Sequence, residues 1–475
     1  MYIIFLSIIH ISIINRTNIN LKKIALFWSF LFFFIFCIQI IFFSEFSLFQ
    51  FSLNISWFSN KFFNISWGKF LLGIDGISLF FIGLSLLLIP ICLLISWEAI
   101  EKFWKEFILL LMIILICLVG VFLTLDLLVF YILFEATLIP MFFIIGIWGS
   151  REEKIRAAFY FFFYTLIGSL LMLLSIFKIY EVLGSTNYQT LLIIEIPSFL
   201  QFFFLIGFSI SLGVKIPMLP FHIWLPQAHV EAPLAGSVLL AGILLKLGGY
   251  GFIRFTPIFP IAFEYFSPFL IIISLIAIIY GSLTTCRQSD MKRLIAYSSV
   301  SHMGLVTLAI FTHSVEGILS SILIMLAHGL ISSGLFISSG FLYIRYHSRI
   351  IKYYKGLVTT MPILSFLTFF LILCNISFPL TLNFIGEFFS LVAAINYSIF
   401  VGVVASIGGI ITIVYTLFFY NRIFFGVLGH LRKPRDIEYF EFSPIFLFII
   451  IIIYLGIQPN FLLKFILISS FFYIS

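Results

Sequence analysis

Charge is scarce in this sequence. Asp, Glu, Lys and Arg together make up 9% of its 475 residues, whereas an ordinary soluble domain has about 25%. Such a chain has too few charged groups to cover the surface of a water-soluble globule. Its mean hydropathy of +1.24 and its repeated apolar runs of about 20 residues instead predict an all-α polytopic membrane protein.

Cofactor and metal motifs are also absent from the sequence. The five cysteines are scattered, and none stands in a Cys-x-x-Cys pair or near a histidine at the spacing of metal ligands. This excludes iron–sulfur clusters, structural zinc and a disulfide framework. Without a Gly-x-Gly-x-x-Gly turn or a Walker loop, dinucleotide and ATP sites are excluded as well. We therefore expect no cofactor and no metal in this chain.

The N-terminus resembles no targeting segment. It lacks the basic region and the small-residue cleavage site of a signal peptide, and it lacks the arginines of a transit peptide. We interpret the 65 phenylalanines as codon bias of an AT-rich genome, and both features favour synthesis inside an organelle. The net charge of +7 is interpreted as a sign of membrane topology and not of nucleic-acid binding, because basic residues of membrane proteins concentrate on one side.

Apolar runs bounded by charged or turn residues predict fourteen transmembrane helices. They lie at about 2–15, 24–43, 75–96, 106–123, 125–147, 155–178, 198–216, 232–255, 264–284, 291–311, 315–343, 361–393, 399–424 and 441–458. Residues 44–74 are predicted as a long loop, and a tail of about seventeen residues follows the last span.

The basic residues predict the orientation of these helices. Most of them fall in the loops after spans 1, 3, 5, 9, 11 and 13, whereas the opposite side holds only Lys61, Lys69, Lys178, Arg254 and Lys464. The odd-to-even loops should therefore face the positive-inside compartment, which is the matrix or the cytoplasm, and both termini should face the other side.

Four ionisable side chains lie inside apolar spans, where each costs at least about 2.5–3.5 kcal/mol. They are Glu135, Lys215, Lys246 and Glu387. This cost makes each of them a candidate functional residue. The structural alternative is a buried ion pair between Glu135 and Lys215, with the other two side chains reaching along the helix to the membrane surface.

Two histidines also lie in consecutive apolar spans, His302 in SSVSHMGLV and His328 in IMLAHGLIS. A lone buried histidine is more often a hydrogen-bonded core residue, but two in neighbouring spans of a chain with eight histidines are also typical of a proton relay. Both interpretations stay open at this point.

Prolines interrupt the seventh and twelfth spans, in Lys215-Ile-Pro-Met-Leu-Pro and in Asn375-Ile-Ser-Phe-Pro. Broken helices at membrane depth are tolerated only where they line a cavity or are covered by protein. Because the two breaks are five helices apart, they predict two inverted five-helix repeats, a design found in transporters. The predicted organisation is 1–105 for helices 1–3 with their loop, 106–255 and 256–425 for the repeats, and 426–475 for the last helix and tail.

Several long motifs carry a family resemblance. The run GVKIPMLPFHIWLPQAHVEAPLAGSVLLAGILLKLGGYGFIRF, together with SDMKRLIAYSSVSHMG, AHGL and NFIGEF, resembles the antiporter-like membrane subunits of proton-pumping NADH–ubiquinone oxidoreductase, respiratory complex I. The resemblance extends over about residues 70–425. A glutamate instead of a lysine at position 387 is typical of one of the three antiporter-like subunits.

The resemblance implies a function and a set of roles. Glu135 and Lys215 would form a proton half-channel pair, Lys246 a central relay lysine, and His302 and His328 the connection toward Glu387. The chain would translocate protons without redox chemistry of its own, while FMN, iron–sulfur clusters and quinone bind to partner subunits.

The resemblance also implies partners and a location. The partners would be other membrane-arm subunits, including the sister antiporter-like subunits, and inner-membrane phospholipids. The location would be the mitochondrial inner membrane, with the odd-to-even loops facing the matrix and both termini facing the intermembrane space.

Two other functions are open to this sequence. A cation/proton antiporter subunit of the same fold outside complex I would need the same lysines and helix breaks, although sodium transport would also need a cluster of intramembrane carboxylates. A scaffold that only spaces other subunits would give no reason for Lys246 to remain in hydrocarbon.

Overall fold

The computed structural model describes residues 2–13, 18–44, 48–60, 65–100, 102–427 and 435–472, and this part of the chain is almost entirely helical. The helices are α1 (Tyr2–Ile13), α2 (Asn18–Phe42), α3 (Gly76–Ala99), α4 (Trp104–Leu123), α5 (Leu127–Ala136), α6 (Leu138–Trp148), α7 (Lys154–Leu183), α8 (Tyr188–Leu191), α9 (Ser198–Lys215), α10 (Trp224–Glu231), α11 (Leu234–Leu239), α12 (Leu245–Phe255), α13 (Pro260–Cys286), α14 (Met291–Phe311), α15 (Val315–Tyr346), α16 (Pro362–Asn375), α17 (Leu382–Tyr397), α18 (Ile399–Phe424), α19 (Tyr439–Ile457) and α20 (Asn460–Phe472). A π-helical turn, Leu240–Leu244, joins α11 to α12.

Twelve helical segments of the described residues are long and apolar enough to cross a membrane. The all-α membrane fold predicted from the sequence is therefore confirmed. The boundaries of α14 agree with the predicted span to the residue, and a polar side chain fixes its start. Asp290 accepts hydrogen bonds from the N–H groups of Lys292 and Arg293 and thereby starts α14, and Asp126 starts α5 in the same way.

The predicted loop at 44–74 is wrong in part, because it contains a β-hairpin. Strand β1 (Gln50–Asn60) pairs antiparallel with β2 (Ile65–Ile74), with Asn54 opposite Leu71. Lys61, used above for the topology, lies outside the described residues.

Two further expectations from the sequence need correction. The segment after the last predicted span is not a plain tail, because Asn460–Phe472 forms α20. Arg254, counted above among the basic residues on the opposite side of the membrane, lies in the last turn of α12 and is 3% exposed. The segment after the last span and Arg254 were both placed by their position relative to long apolar runs. Such runs carry no information about which other segments pack against them.

The chain divides into two compact units. The first comprises Met1–Lys215, Lys246–Ser267 and Lys464–Ser475, and the second comprises Ile216–Leu245 and Pro268–Leu463. Each is described separately below. The predicted five-helix repeats at 106–255 and 256–425 stay a prediction.

A buried ion pair lies in the first unit. Arg254 Nη2 is 2.7 Å from Asp75 Oδ1, and both side chains are almost fully buried. Arg254 Nε also donates to the Tyr250 hydroxyl at 2.8 Å, and Asp75 accepts a hydrogen bond from the Ser78 N–H at the start of α3. The pair therefore ties the beginning of α3 to the end of α12.

In the second unit, α15 packs against α14 and α17. The contact with α17 is close at Gly386, where an added Cβ would lie 2.7 Å from a side-chain carbon of Ile324 and 3.0 Å from its backbone nitrogen. Only glycine leaves room for this approach. The small residue thus brings the α17 backbone, which carries Glu387, next to α15, which carries His328.

We predict that Asp75→Asn destabilises the protein by about 3–5 kcal/mol, because it leaves the buried Arg254 charge without its counter-charge. Asparagine caps a helix as well as aspartate does, so the substitution isolates the effect of the charge. The measurement is the thermal unfolding midpoint of the detergent-extracted protein.

The matched control for this variant is Glu181→Gln, which breaks the exposed Lys178–Glu181 pair and should cost less than about 1 kcal/mol. Equal effects of the two variants would show that the Asp75–Arg254 pair does not stabilise the fold.

Candidate functional site

The first helix break lies where the sequence predicts it. Helix α9 ends at Lys215, and turns lead through Pro217 and Pro220 to α10. Proline has no N–H to donate and cannot continue a helix. The break leaves Lys215 as the last residue of α9, with its side chain only 3% exposed.

Lys215 contacts the end of α5. Its Nζ lies 3.1 Å from the Phe134 carbonyl oxygen and 3.9 Å from the centre of the Phe134 ring. The ammonium is thus held by a carbonyl dipole and by a cation–π contact. The carbonyl is available because α5 ends at Ala136, before Thr137.

Glu135 is the next residue along α5, and its side chain is half-buried. It interacts electrostatically with Lys215. The ion pairs of the described residues do not include one between these two side chains. Glu135 and Lys215 therefore lie near each other without forming the buried ion pair that the structural alternative requires.

Lys246 lies in the first turn of α12, directly after the π-helical turn Leu240–Leu244. Its side chain is 0% exposed, so it does not reach the surface of the protein. Single π-helical turns within α-helices occur frequently at functional sites. The turn also shifts the face on which the following residues lie, and Lys246 is among them.

The second unit brings His302, His328 and Glu387 together. His302 Nδ1 lies 3.3 Å from Glu387 Oε1, and the two histidine rings are 5.6 Å apart between centres. Both histidines are buried, whereas Glu387 is 17% exposed. A carboxylate and an imidazole at this distance can share one proton.

The second helix break supplies a partner for this carboxylate. Between α16 and α17 the backbone takes left-handed conformations at Ser377 and Leu380. Asn383, in the first turn of α17, donates from Nδ2 to Ser377 Oγ at 2.8 Å and to Glu387 Oε1 at 2.9 Å. The break and the acidic group are thereby linked through one amide.

Three buried charged residues of the second unit were not among the sequence candidates, namely Lys292, Arg349 and Glu231. Lys292 Nζ donates to the Ala232 carbonyl at 2.9 Å, and Arg349 Nη1 lies 3.7 Å from Glu231 Oε1. The charge count places Lys292 and Arg349 in loops, since both lie at span ends. One signal in the sequence could have identified Lys292 as buried, because it is the second residue of the predicted span at 291–311.

No group of three or more His, Cys, Asp or Glu side chains within the described residues could hold a metal ion.

A family model described as "NADH:quinone oxidoreductase/Mrp antiporter, TM" matches residues 124–412. A protein of Metridium senile named NADH-ubiquinone oxidoreductase chain 4 is 53% identical, over 96% of this chain and 94% of that protein. A protein of Arabidopsis thaliana with the same name is 50% identical, over 87% and 83%.

Solved structures are similar as well. A chain of respiratory complex I from Thermus thermophilus superposes with a TM-score of 0.89 at 25% identity, covering 99% of this chain and 98% of that one. A chain of the Mrp complex from Dietzia sp. DQ12-45-1b gives 0.87 at 17% identity, covering 99% and 95%. The second likeness concerns the fold alone.

We predict that Lys292→Met lowers the free energy of unfolding by about 1–3 kcal/mol, because the buried Ala232 carbonyl loses a donor. The matched control is Arg293→Met at the adjacent exposed position, which should change the stability by less than about 0.5 kcal/mol. Thermal unfolding of the extracted protein measures both, and similar midpoints for the two variants would contradict the prediction.

Proposed function

This chain belongs to the NADH:quinone oxidoreductase/Mrp antiporter family of transmembrane subunits, and from that membership we propose that it translocates protons as a membrane-arm subunit of NADH–ubiquinone oxidoreductase, respiratory complex I. The observation that carries the proposal is the set of buried titratable side chains in an otherwise apolar bundle. Relatives named chain 4 of this enzyme, at about half identity over most of the chain, support it over an Mrp-type cation/proton antiporter. That alternative is supported by the shared family description and by a likeness of fold at 17% identity.

In the first unit, we propose that Lys215 and Glu135 form the half-channel pair. The loose contact of Lys215 with the Phe134 carbonyl holds the ammonium while leaving it within electrostatic reach of Glu135. Approach of the carboxylate favours the protonated lysine, and its withdrawal favours release of the proton. Lys246 is the proposed acceptor, because it is buried and carries an amine that can exist charged or neutral.

In the second unit, we propose that His302, His328 and Glu387 hold and pass a proton. The 3.3 Å separation of His302 Nδ1 and Glu387 Oε1 allows transfer in either direction without movement of the backbone. The Asn383 amide stabilises the carboxylate after the proton has left. His328 is the neighbouring imidazole that exchanges with His302.

The energies involved are within reach of single contacts. Moving one charge across ~180 mV costs roughly 4 kcal/mol, which corresponds to about three pKa units at 1.4 kcal/mol each. Making or breaking one contact between opposite charges in a low-dielectric interior is known to shift a pKa by about this much. No larger rearrangement is needed to drive one proton.

The energy for these contacts is proposed to come from partner subunits that hold FMN, iron–sulfur clusters and quinone, since the sequence has no motif for redox groups. The proposed partners are the other membrane-arm subunits, among them the sister antiporter-like subunits, and inner-membrane phospholipids. The proposed location is the mitochondrial inner membrane, with synthesis inside the organelle, the odd-to-even loops facing the matrix and both termini facing the intermembrane space.

We predict that Lys246→Met abolishes proton translocation while the complex still assembles, because methionine fills the buried space without a titratable group. The measurement is NADH-driven proton uptake by vesicles, with native electrophoresis to quantify the assembled complex. Lys178→Met is the control, since the Lys178 side chain is 42% exposed and its ion pair within the described part of the chain is with Glu181.

Normal proton uptake in the Lys246→Met variant would overturn the proposal in favour of a scaffold. Uptake that depends on added sodium would favour the cation/proton antiporter instead.

A further inference from the structure

Three segments of the second unit meet near the ends of α13 and α18. The Ile351 N–H donates to the Ser289 carbonyl at 2.9 Å, and the Gly356 N–H donates to the Phe425 carbonyl at 3.1 Å. The first hydrogen bond reaches the loop after α13, and the second reaches the residue that follows α18. Residues 351–356 therefore connect the loop after α13 with the end of α18.

These segments carry a group of exposed basic side chains, which we term the basic patch. Its members are Arg287, Arg293, Lys352, Lys355 and Arg422. None of the five takes part in an ion pair within the described part of the chain. Asp290 is the only acidic residue of the segments 287–293, 350–356 and 420–426, and its Oδ1 accepts hydrogen bonds from the backbone N–H groups that start α14.

Membrane topology alone does not explain the basic patch. The positive-inside rule accounts for the side of the membrane on which basic residues lie, but it gives no reason for them to adjoin one another without counter-charges. Arg345, at the end of α15, shows the contrast, because its Nη1 donates to Glu441 Oε1 at 3.1 Å. Cations that adjoin each other repel, so a patch without acidic partners is suited to an anion from outside the chain.

Exposed apolar side chains border the basic patch on two helices that are long and apolar enough to cross a membrane, α13 and α18. The Arg422 guanidinium carbon lies 5.8 Å from the centre of the Phe418 ring, one turn earlier on α18. Phe418 is 55% exposed, and Leu283, in the last turn of α13, is 54% exposed. Tyr353, between the two lysines of the patch, is 57% exposed. Basic and aromatic side chains in this arrangement are typical of the level of the lipid headgroups.

A phospholipid combines the two properties that this surface requires. Its phosphate accepts charge-assisted hydrogen bonds from arginine and lysine, and its acyl chains cover apolar side chains at the adjacent depth. An acidic protein segment would compensate the cations and leave Phe418 and Leu283 uncovered. A zwitterionic headgroup would bring a further positive charge to the patch, so the chemistry favours an anionic one.

We propose that the basic patch binds the headgroup of an anionic phospholipid, whose acyl chains lie against Leu283 and Phe418. The inference rests on the proposed function in one respect, the phospholipid partners, and it gives them a site on this chain. It does not depend on proton translocation.

The test uses the assembled complex in phosphatidylcholine vesicles that contain a small fraction of a photoactivatable phospholipid. The photoactivatable group is in the acyl chain next to the glycerol, and the headgroup is phosphatidylglycerol in one preparation and phosphatidylcholine in the other. Mass spectrometry of peptides after illumination measures the labelling of Leu283 and Phe418. We expect at least about tenfold more labelling by phosphatidylglycerol, because each lysine or arginine near an anionic headgroup contributes about a factor of five in binding.

Two double variants test the role of the cations. Lys352→Gln combined with Arg422→Gln should lower the labelling by phosphatidylglycerol about fivefold for each cation removed, with the labelling by phosphatidylcholine unchanged. Arg151→Gln combined with Arg156→Gln is the matched control, because it removes two exposed cations of the first unit and should leave the labelling at the basic patch unchanged.

Several outcomes would overturn the lipid site. Equal labelling by the two lipids would show that the patch does not select an anionic headgroup, and no labelling by either would show that a protein partner covers this surface. Equal losses in the two double variants would show that only the charge of the whole surface matters. None of these measurements involves proton uptake, so normal uptake in Lys246→Met would overturn the proposed function and leave the lipid site standing.

Discussion

The cost of placing a charge in a low-dielectric interior governs this structure. One buried charge of the fold is compensated closely, since Arg254 lies 2.7 Å from Asp75. The candidate proton groups are held more loosely, with Lys215 on a carbonyl and a ring and His302 at 3.3 Å from Glu387. A buried group that is closely paired in its charged form does not readily lose or gain a proton. A loosely held one can be neutralised by a small change in its surroundings. The Arg254–Asp75 pair is thus held by an opposite charge at close range, whereas Lys215 is held by neutral groups.

Helix ends and helix breaks provide the polar groups that contact the candidate proton-carrying side chains. A continuous helix uses its own carbonyls and N–H groups and offers none to a buried side chain. At the end of α5 the Phe134 carbonyl becomes available to Lys215, and at the break before α17 the Ser377 hydroxyl is joined through Asn383 to Glu387. The prolines after Lys215 end α9 at that residue, whereas the carbonyl that Lys215 contacts belongs to the end of α5. Each buried group thus lies where helices end.

Much of this could be predicted from the sequence, because its signals are local. Apolar runs predict the helices, Asp126 and Asp290 mark helix starts, and prolines mark the first break. What could not be predicted depends on contacts between distant segments. A lysine at a span end looks the same whether it faces water or, like Lys292, binds the end of another helix. The contact between His302 and Glu387 joins residues 85 positions apart in the chain and needed the folded structure.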